Sequence, residues 1–205
     1  MFYETSLNNH GLPRDPFKSC VVPRPIGWIS TIDLSGVANL APFSFFNAVS
    51  GVPPHVMFSP GGLGPEGQTK HSLINAQATG EFMVNVVSRQ LAEQMVKTSA
   101  AVSSDVDEFE LAGLTKEPSK LVKPSRVAGA PIHLECKYWK TIHMPQADSE
   151  PCHMVIGQVV GIHIADEVID DHGFVDVLRF EPVARLGYRQ YASINSVFEI
   201  QLPKA

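Results

Sequence analysis

Hydrophobic and polar side chains alternate over residues 25–33. Ile26, Trp28, Ser30 and Ile32 share one face, and Gly27, Ile29, Thr31 and Asp33 the other, which predicts a strand. Leu34-Ser35-Gly36 predicts a turn, and 37–41 the returning arm of a hairpin. Residues 42–54, rich in aromatic and small side chains, read as a loop. A short strand over 55–59 and a glycine-rich loop over 60–68 follow. Leu73, Ile74 and Ala78 lie at helical spacing and predict a helix over 70–79 that Gly80 stops. A strand is predicted over 81–87. Ser88 then caps a second helix with Leu91, Met95 and Val96 on its inner face. Residues 98–124 are mixed and polar, with one short strand near Phe109. Over 132–142, Ile132, Leu134, Cys136 and Tyr138 alternate with His133, Glu135, Lys137 and Trp139. The longest strand candidate, 153–168, carries Met154, Ile156, Val160, Ile162 and Ile164 on one face. Gly157 and Gly161 opposite them mark bulges or a close backbone approach.

Sixteen prolines and fifteen glycines are spread along all 205 residues, cutting the chain into many short elements with no repeat period. Few short helices beside five or six strands predict a mainly β chain, one antiparallel barrel with peripheral helices rather than βαβ units. The length fits a single domain over 1–205, which buries about 70% of the surface of its unfolded chain. With 44% hydrophobic and 18% charged residues the chain is not a disordered type. A net charge of −5 argues against nucleic acid or an anionic membrane as the main partner. No apolar run reaches the ~18 residues of a membrane span. The start has neither the basic nor the apolar region of a secretory signal. Cys20, Cys136 and Cys152 are odd in number and far apart, unlike a disulfide framework. These features predict a cytoplasmic protein.

Several motifs nearly fit. Gly62-Leu63-Gly64-Pro65-Glu66-Gly67 matches G-x-G-x-x-G between a predicted strand and a predicted helix. Yet Glu81, at the distance of a ribose-binding acid, opens its strand instead of ending it, and no second βαβ unit follows. Gln68-Thr69 after the last glycine is also not the Lys-Ser/Thr of a P-loop. His133-Leu134-Glu135 with Pro151-Cys152 is part of a zinc-deaminase pattern, but Val155 stands where the second cysteine belongs. No metal is predicted. There is no G-x-S-x-G elbow, and no nucleophile is named.

Two features carry chemistry. Ser30-Thr31, with Asn39, Ala41 and Ser44-Phe45-Phe46-Asn47, brings hydroxyls, amides and aromatic rings together between prolines, which suits a flat aromatic ligand with polar edges. Lys70-His71-Ser72 stands at a helix start, where unpaired N–H groups and the helix dipole favour an anion. A planar head with a phosphate tail is the shape of FMN.

Residues 25–31, Gly36, 39–47 and 53–56 closely resemble the flavin reductase-like, FMN-binding split-barrel family. Lys70-His71-Ser72, Asn75 and 80–85 resemble that family's K-D-T…N…G-E-F-V-V-N block, with His71 in place of the acid and Ser72 in place of Thr. Leu134-Glu135-Cys136, His153, 157–159 and 186–191 are similar but less specific. The resemblance implies an antiparallel Greek-key split β-barrel, FMN as cofactor, NAD(P)H as co-substrate and a homodimer. It places Trp28, Ile29, Ser30, Thr31, Asn39, Ala41 and Pro42 along the ring, largely through backbone. Ser44, Phe45, Phe46 and Asn47 go to the ribityl and phosphate region, and Lys70, His71 and Ser72 to the phosphate. A backbone N–H at Ser30 or Thr31 would face the flavin N5, and His153 would hold the nicotinamide. The implied activity is hydride transfer from NAD(P)H to flavin, serving a flavin-dependent monooxygenase or another electron acceptor. The alternative is a non-enzymatic, flavoredoxin-like FMN carrier reduced by a partner protein.

Overall fold

The computed structural model describes residues 1–65, 67–145, 151–201 and 203. A short helix α1 (Phe17–Cys20) and strand β1 (Arg24–Pro25) lead into the hairpin of β2 (Gly27–Ile32) and β3 (Ala38–Phe43). Asp33 closes its turn, its carboxylate accepting the N–H groups of Ser35 and Val37. A second hairpin, β4 (Phe46–Gly51) and β5 (Pro54–Phe58), is followed by α2 (His71–Thr79) and β6 (Glu81–Val86). A 3₁₀ turn, Arg89–Leu91, precedes α3 (Ala92–Lys97) and α4 (Glu108–Ala112). Then come the short pair β7 (Lys116–Glu117) and β8 (Arg126–Val127), and the long hairpin β9 (Ile132–His143) and β10 (His153–Ile164). Strands β11 (Val183–Arg185) and β12 (Tyr191–Ser193) form a small sheet with β1.

The main sheet has seven antiparallel strands in the order β3-β2-β6-β9-β10-β5-β4. Although β5 and β6 are consecutive in sequence, the β9–β10 hairpin lies between them, and the crossover carries α2. The sheet curls far enough for Phe46 of edge strand β4 to cover Gly27 of β2, near the other edge. Strands β3 and β4 are not joined by a ladder, so the barrel stays open there.

Two cores flank β2. Ile29, Phe58, Phe82, Val84, Cys136, Val155 and Val159 pack with Leu73 and Ala76 of α2 on one side. Ile26, Trp28, Leu40, Val87, Met95, Phe109 and Val127 pack on the other. Both faces of β2 are therefore buried, although its alternation alone would suit a half-exposed strand.

Several sequence expectations are corrected. Residues 42–54 are not all loop, because β4 runs through them. It presents only Phe46 inward and is otherwise exposed, so it lacks a strand's alternation. Phe109 lies in α4, not in a strand: Asp107 caps that helix by accepting the Phe109 N–H, and Gly113 ends it at φ 68°. Ser88 makes no side-chain cap, and Val96 is exposed, leaving Met95 as the buried residue of α3. On α2, Ser72, Leu73, Asn75 and Ala76 face inward while Ile74 is 42% exposed. Strand β10 ends at Ile164. Val155, Ile156 and Val159 are buried while Ile162 and Ile164 are exposed; the pairing with β9 is irregular at Ile156/Gly157, where Trp139 of β9 is extra, and at Val159/Gly161, where Val160 of β10 is extra. Gly157 also permits close approach, since a β-carbon there would collide with the Phe82 ring. The three cysteines are free, and burial pushes the Cys136 thiol up. Among the described residues no helix is long and apolar enough to cross a membrane.

Candidate functional site

One cleft of about 530 Å³ gathers most of the candidate chemistry. The end of β3 and the turn after it supply Asn39, Ala41, Pro42, Phe43, Ser44 and Phe45. The start of α2 supplies Lys70, His71 and Ser72. Ser59, Gly61, Gly62, Gly64 and Pro65 form a rim, with Cys152 beside them. The 98–102 segment and Glu108 form the remaining wall, and Lys18 reaches it from α1.

At the α2 end, the N-cap position is held by Lys70, whose ammonium cannot accept a hydrogen bond, and no side chain caps the helix. The first-turn N–H groups and Lys70 thus stand at this end of the cleft, and Lys18 lines it from α1. Among the described residues neither lysine is paired with a carboxylate. His71 is turned aside: its Nε2 accepts the Gln68 Nε2–H at 2.9 Å and ties the glycine-rich loop to the helix. At the other end, Pro42, Phe43 and Phe45 form an apolar wall. The Arg24 guanidinium lies 5.8 Å over the Phe45 ring. Arg24 also donates to the carbonyls of Lys18, Val21 and Leu186, holding α1 against the site.

Beneath the cleft floor runs a buried polar network. Asn39 Nδ2 donates to Glu108 Oε1 at 2.7 Å, and the Leu40 N–H donates to Glu108 Oε2 at 2.9 Å. Ser72 Oγ donates to Asn39 Oδ1 at 2.9 Å; Thr31 Oγ1 lies 3.4 Å from the same oxygen and accepts the Asn75 Nδ2–H at 3.2 Å. Burial pushes the Glu108 carboxyl above the ordinary carboxylate range, against the pull of these hydrogen bonds.

The sequence-predicted residues divide accordingly. Asn39, Ala41, Pro42, Ser44, Phe45, Lys70, His71 and Ser72 line the cleft. Trp28, Ile29, Ser30 and Thr31 do not. All four are fully buried, and over Gly27–Ser30 the backbone is laddered to β3 and β6 on both sides. Trp28 Nε1 instead donates to Thr98 Oγ1 at 2.9 Å, and Ser30 Oγ to the Ser125 carbonyl. Phe46 packs over Gly27, and Asn47 is exposed, its Oδ1 accepting the Ala48 N–H. His153 lies just beyond the rim. Its Nδ1 is 3.0 Å from His143 Nδ1, and burial together with that neighbour lowers its pKa.

Sequence reasoning missed Glu108, the 98–102 wall and Lys18. Asp107 and Gly113 signalled a helix at 108–112, but nothing local marks its first glutamate as buried. The H-x-E pair is structural. His133 Nδ1 donates to Asn85 Oδ1. Glu135 accepts the N–H groups of Lys120, Leu121 and Val122 and pairs with His163. Burial pushes the Glu135 carboxyl up, but His163 and the three N–H groups draw it below its ordinary value. Among the described residues no group of three metal-ligating side chains converges. The G-x-G-x-x-G run forms a turn at the cleft rim, with Gly64 N–H donating to the Gln68 carbonyl; its Glu66 lies outside the described residues.

Residues 19–187 match the flavin reductase like domain. A protein of Aquifex aeolicus is 40% identical over 171 residues, spanning 83% of this chain and 84% of its own. Component B of nitrilotriacetate monooxygenase from Bacillus cereus is 29% identical, with a TM-score of 0.85 over 98% of each chain. A flavin-reductase-type chain with a split barrel domain, from Shewanella frigidimarina, is 25% identical, with a TM-score of 0.80 over 100% of each chain. The curled antiparallel sheet, open between β3 and β4, is thus a split barrel, and the chain belongs to the flavin reductase-like family.

Proposed function

We propose that the cleft binds FMN and that the chain is an oxidoreductase using NADH or NADPH as electron donor. The observation carrying this reading is the two-ended character of one cleft, with an uncapped helix start and Lys70 at one end and Pro42, Phe43 and Phe45 at the other. The volume suits a ligand of this class, since pockets for such molecules span about 300–1,000 Å³.

The bound cofactor would supply hydride acceptance and onward electron transfer. The chain's own residues bind and orient. Lys70, the first-turn N–H groups of α2 and the Ser72 hydroxyl take the phosphate; Ser44 takes the ribityl chain. Pro42, Phe43 and Phe45 cover the ring and exclude water. In this reading His153, beside the rim, contacts the nicotinamide. A second copy of the chain completes a homodimer, and a flavin-dependent monooxygenase is the class of partner that takes the electrons. Membership of the family and the likeness to a monooxygenase component B support this assignment.

The test is an absorbance spectrum of the purified protein with FMN, before and after NADH or NADPH. A flavin spectrum that bleaches with either donor is the expected result. Bound flavin that neither donor reduces would replace the reductase with an electron carrier served by another protein. A colourless protein that takes up no FMN overturns the assignment.

A further inference from the structure

The network beneath the cleft has a direction, set by donor and acceptor chemistry alone. Glu108 is 3% exposed, and both its oxygens act as acceptors, Oε1 toward the Asn39 amide and Oε2 toward the Leu40 N–H. Its two partners must therefore present donors: the Leu40 N–H and the Asn39 Nδ2–H. That requirement turns the Asn39 amide so that Oδ1 points to α2, where it takes the Ser72 hydroxyl proton at 2.9 Å. Ser72 has only one proton to give. While Asn39 holds it, Ser72 presents only lone pairs to anything else, the wrong polarity for a phosphate.

Thr31 supplies the other half of the device. Its Oγ1 already accepts the Asn75 Nδ2–H, so its own proton is available, and it lies 3.4 Å from Asn39 Oδ1. At that separation it is a marginal donor beside Ser72. It becomes the sole donor once the Ser72 proton turns into the cleft, and Asn39 Oδ1 is then not stranded in a buried site.

We propose that Glu108 and Thr31, which need not touch the ligand, set how tightly the cleft holds a phosphate: Glu108 by directing Asn39 onto the Ser72 proton, Thr31 by replacing Ser72 when that proton passes to the anion. Both are positioning residues acting through Asn39. The proposal rests on the reading of this cleft as an FMN site.

Glu108→Gln tests the first half. A glutamine satisfies the Leu40 N–H with its oxygen and offers N–H to Asn39, which then flips and presents Nδ2 to Ser72. The Ser72 proton is freed before any ligand arrives. Affinities for FMN and riboflavin, which differ by the phosphate, are measured by fluorescence quenching in parallel. Sparing one neutral hydrogen bond is expected to raise the FMN-over-riboflavin preference about 3- to 10-fold. Most of that gain is lost when Ser72→Ala is added, because the effect runs through the hydroxyl. A gain that persists fully in the Ser72→Ala background reduces Glu108 to a bare charge effect and overturns the relay.

Thr31→Val tests the second half and does not depend on the folding of the glutamine variant. The preference is expected to fall by a similar factor, since ligand binding now leaves Asn39 Oδ1 without a donor. An unchanged preference in either variant, or changes of the same sign in both, overturns the proposal. A wild-type protein that binds both flavins equally overturns the phosphate reading itself, a result distinguishable from either failure.

Discussion

The ring of Phe46 occupies the space a β-carbon on Gly27 would need, leaving 2.5 Å between that carbon and Cδ2. The contact joins edge strand β4 to β2 where no ladder does, so it is side-chain packing that curls the sheet at its open seam. Gly27→Ala would force the ring off its seat, and overpacking of this kind costs about 1–3 kcal/mol. A chain of this length then loses roughly 2–4 °C of melting temperature per kcal/mol. An unchanged thermal midpoint would show that the seam tolerates movement of the ring.

Lys70 tests the anion end of the cleft. Lys70→Ala removes an ammonium that pairs with no carboxylate among the described residues, so its cost should appear in binding, not in folding. FMN affinity is expected to weaken by about 1–3 kcal/mol, the range of a charge-assisted hydrogen bond. Riboflavin affinity and thermal stability should stay where they were. Equal loss for both flavins, by calorimetry, would move the phosphate away from α2.

His133 makes stability pH-dependent. It is buried, and burial, with Arg126 and His163 nearby, lowers its pKa to about 4 from an ordinary 6.5. The unfolded chain therefore binds a proton at higher pH than the folded one. Stability is complete above pH ~6.5 and is lost as pH falls through the interval down to ~4, by about 3 kcal/mol in all. His133→Asn keeps a donor for Asn85 Oδ1 but does not titrate. Denaturant titrations at several pH values should show a shallower decline for the variant across that interval; parallel curves would remove His133 as the cause.

Thr98 anchors the buried indole of Trp28. Thr98→Val preserves shape but strands the buried Trp28 Nε1–H without its acceptor. The expected loss is about 1–3 kcal/mol, read as a lower denaturant midpoint with an unchanged slope. No change in midpoint would mean that the indole finds another acceptor.

How much was legible follows from how local each signal is. The β2–β3 hairpin was legible because alternation and the Asp33-to-Gly36 turn are both near-neighbour effects. The helix start at Lys70-His71-Ser72 was legible for the same reason. Strand β4 was not, because an edge strand with one inward side chain has no periodicity to read. In β10 the alternation was visible, yet an extra residue, Val160, interrupts its register partway along, and only pairing with β9 shows where it sits. The inner face of α2 was misjudged because apolarity picks Ile74, while the fold buries Ser72 and Asn75 for their hydrogen bonds.

From the sequence alone came the strand-rich class, the resemblance that names the family, and the residues that meet at the cleft from β3 and α2. Tertiary structure alone decided that Trp28 to Thr31 lie under the cleft instead of facing it, and that Glu108 belongs to the site. The reason is distance along the chain. The bonds that orient Asn39 and Thr31 join residues 33, 44 and 69 positions apart. No local pattern of residue types encodes which hydroxyl or amide proton is already taken; that follows only once the folded backbone brings the donors and acceptors together.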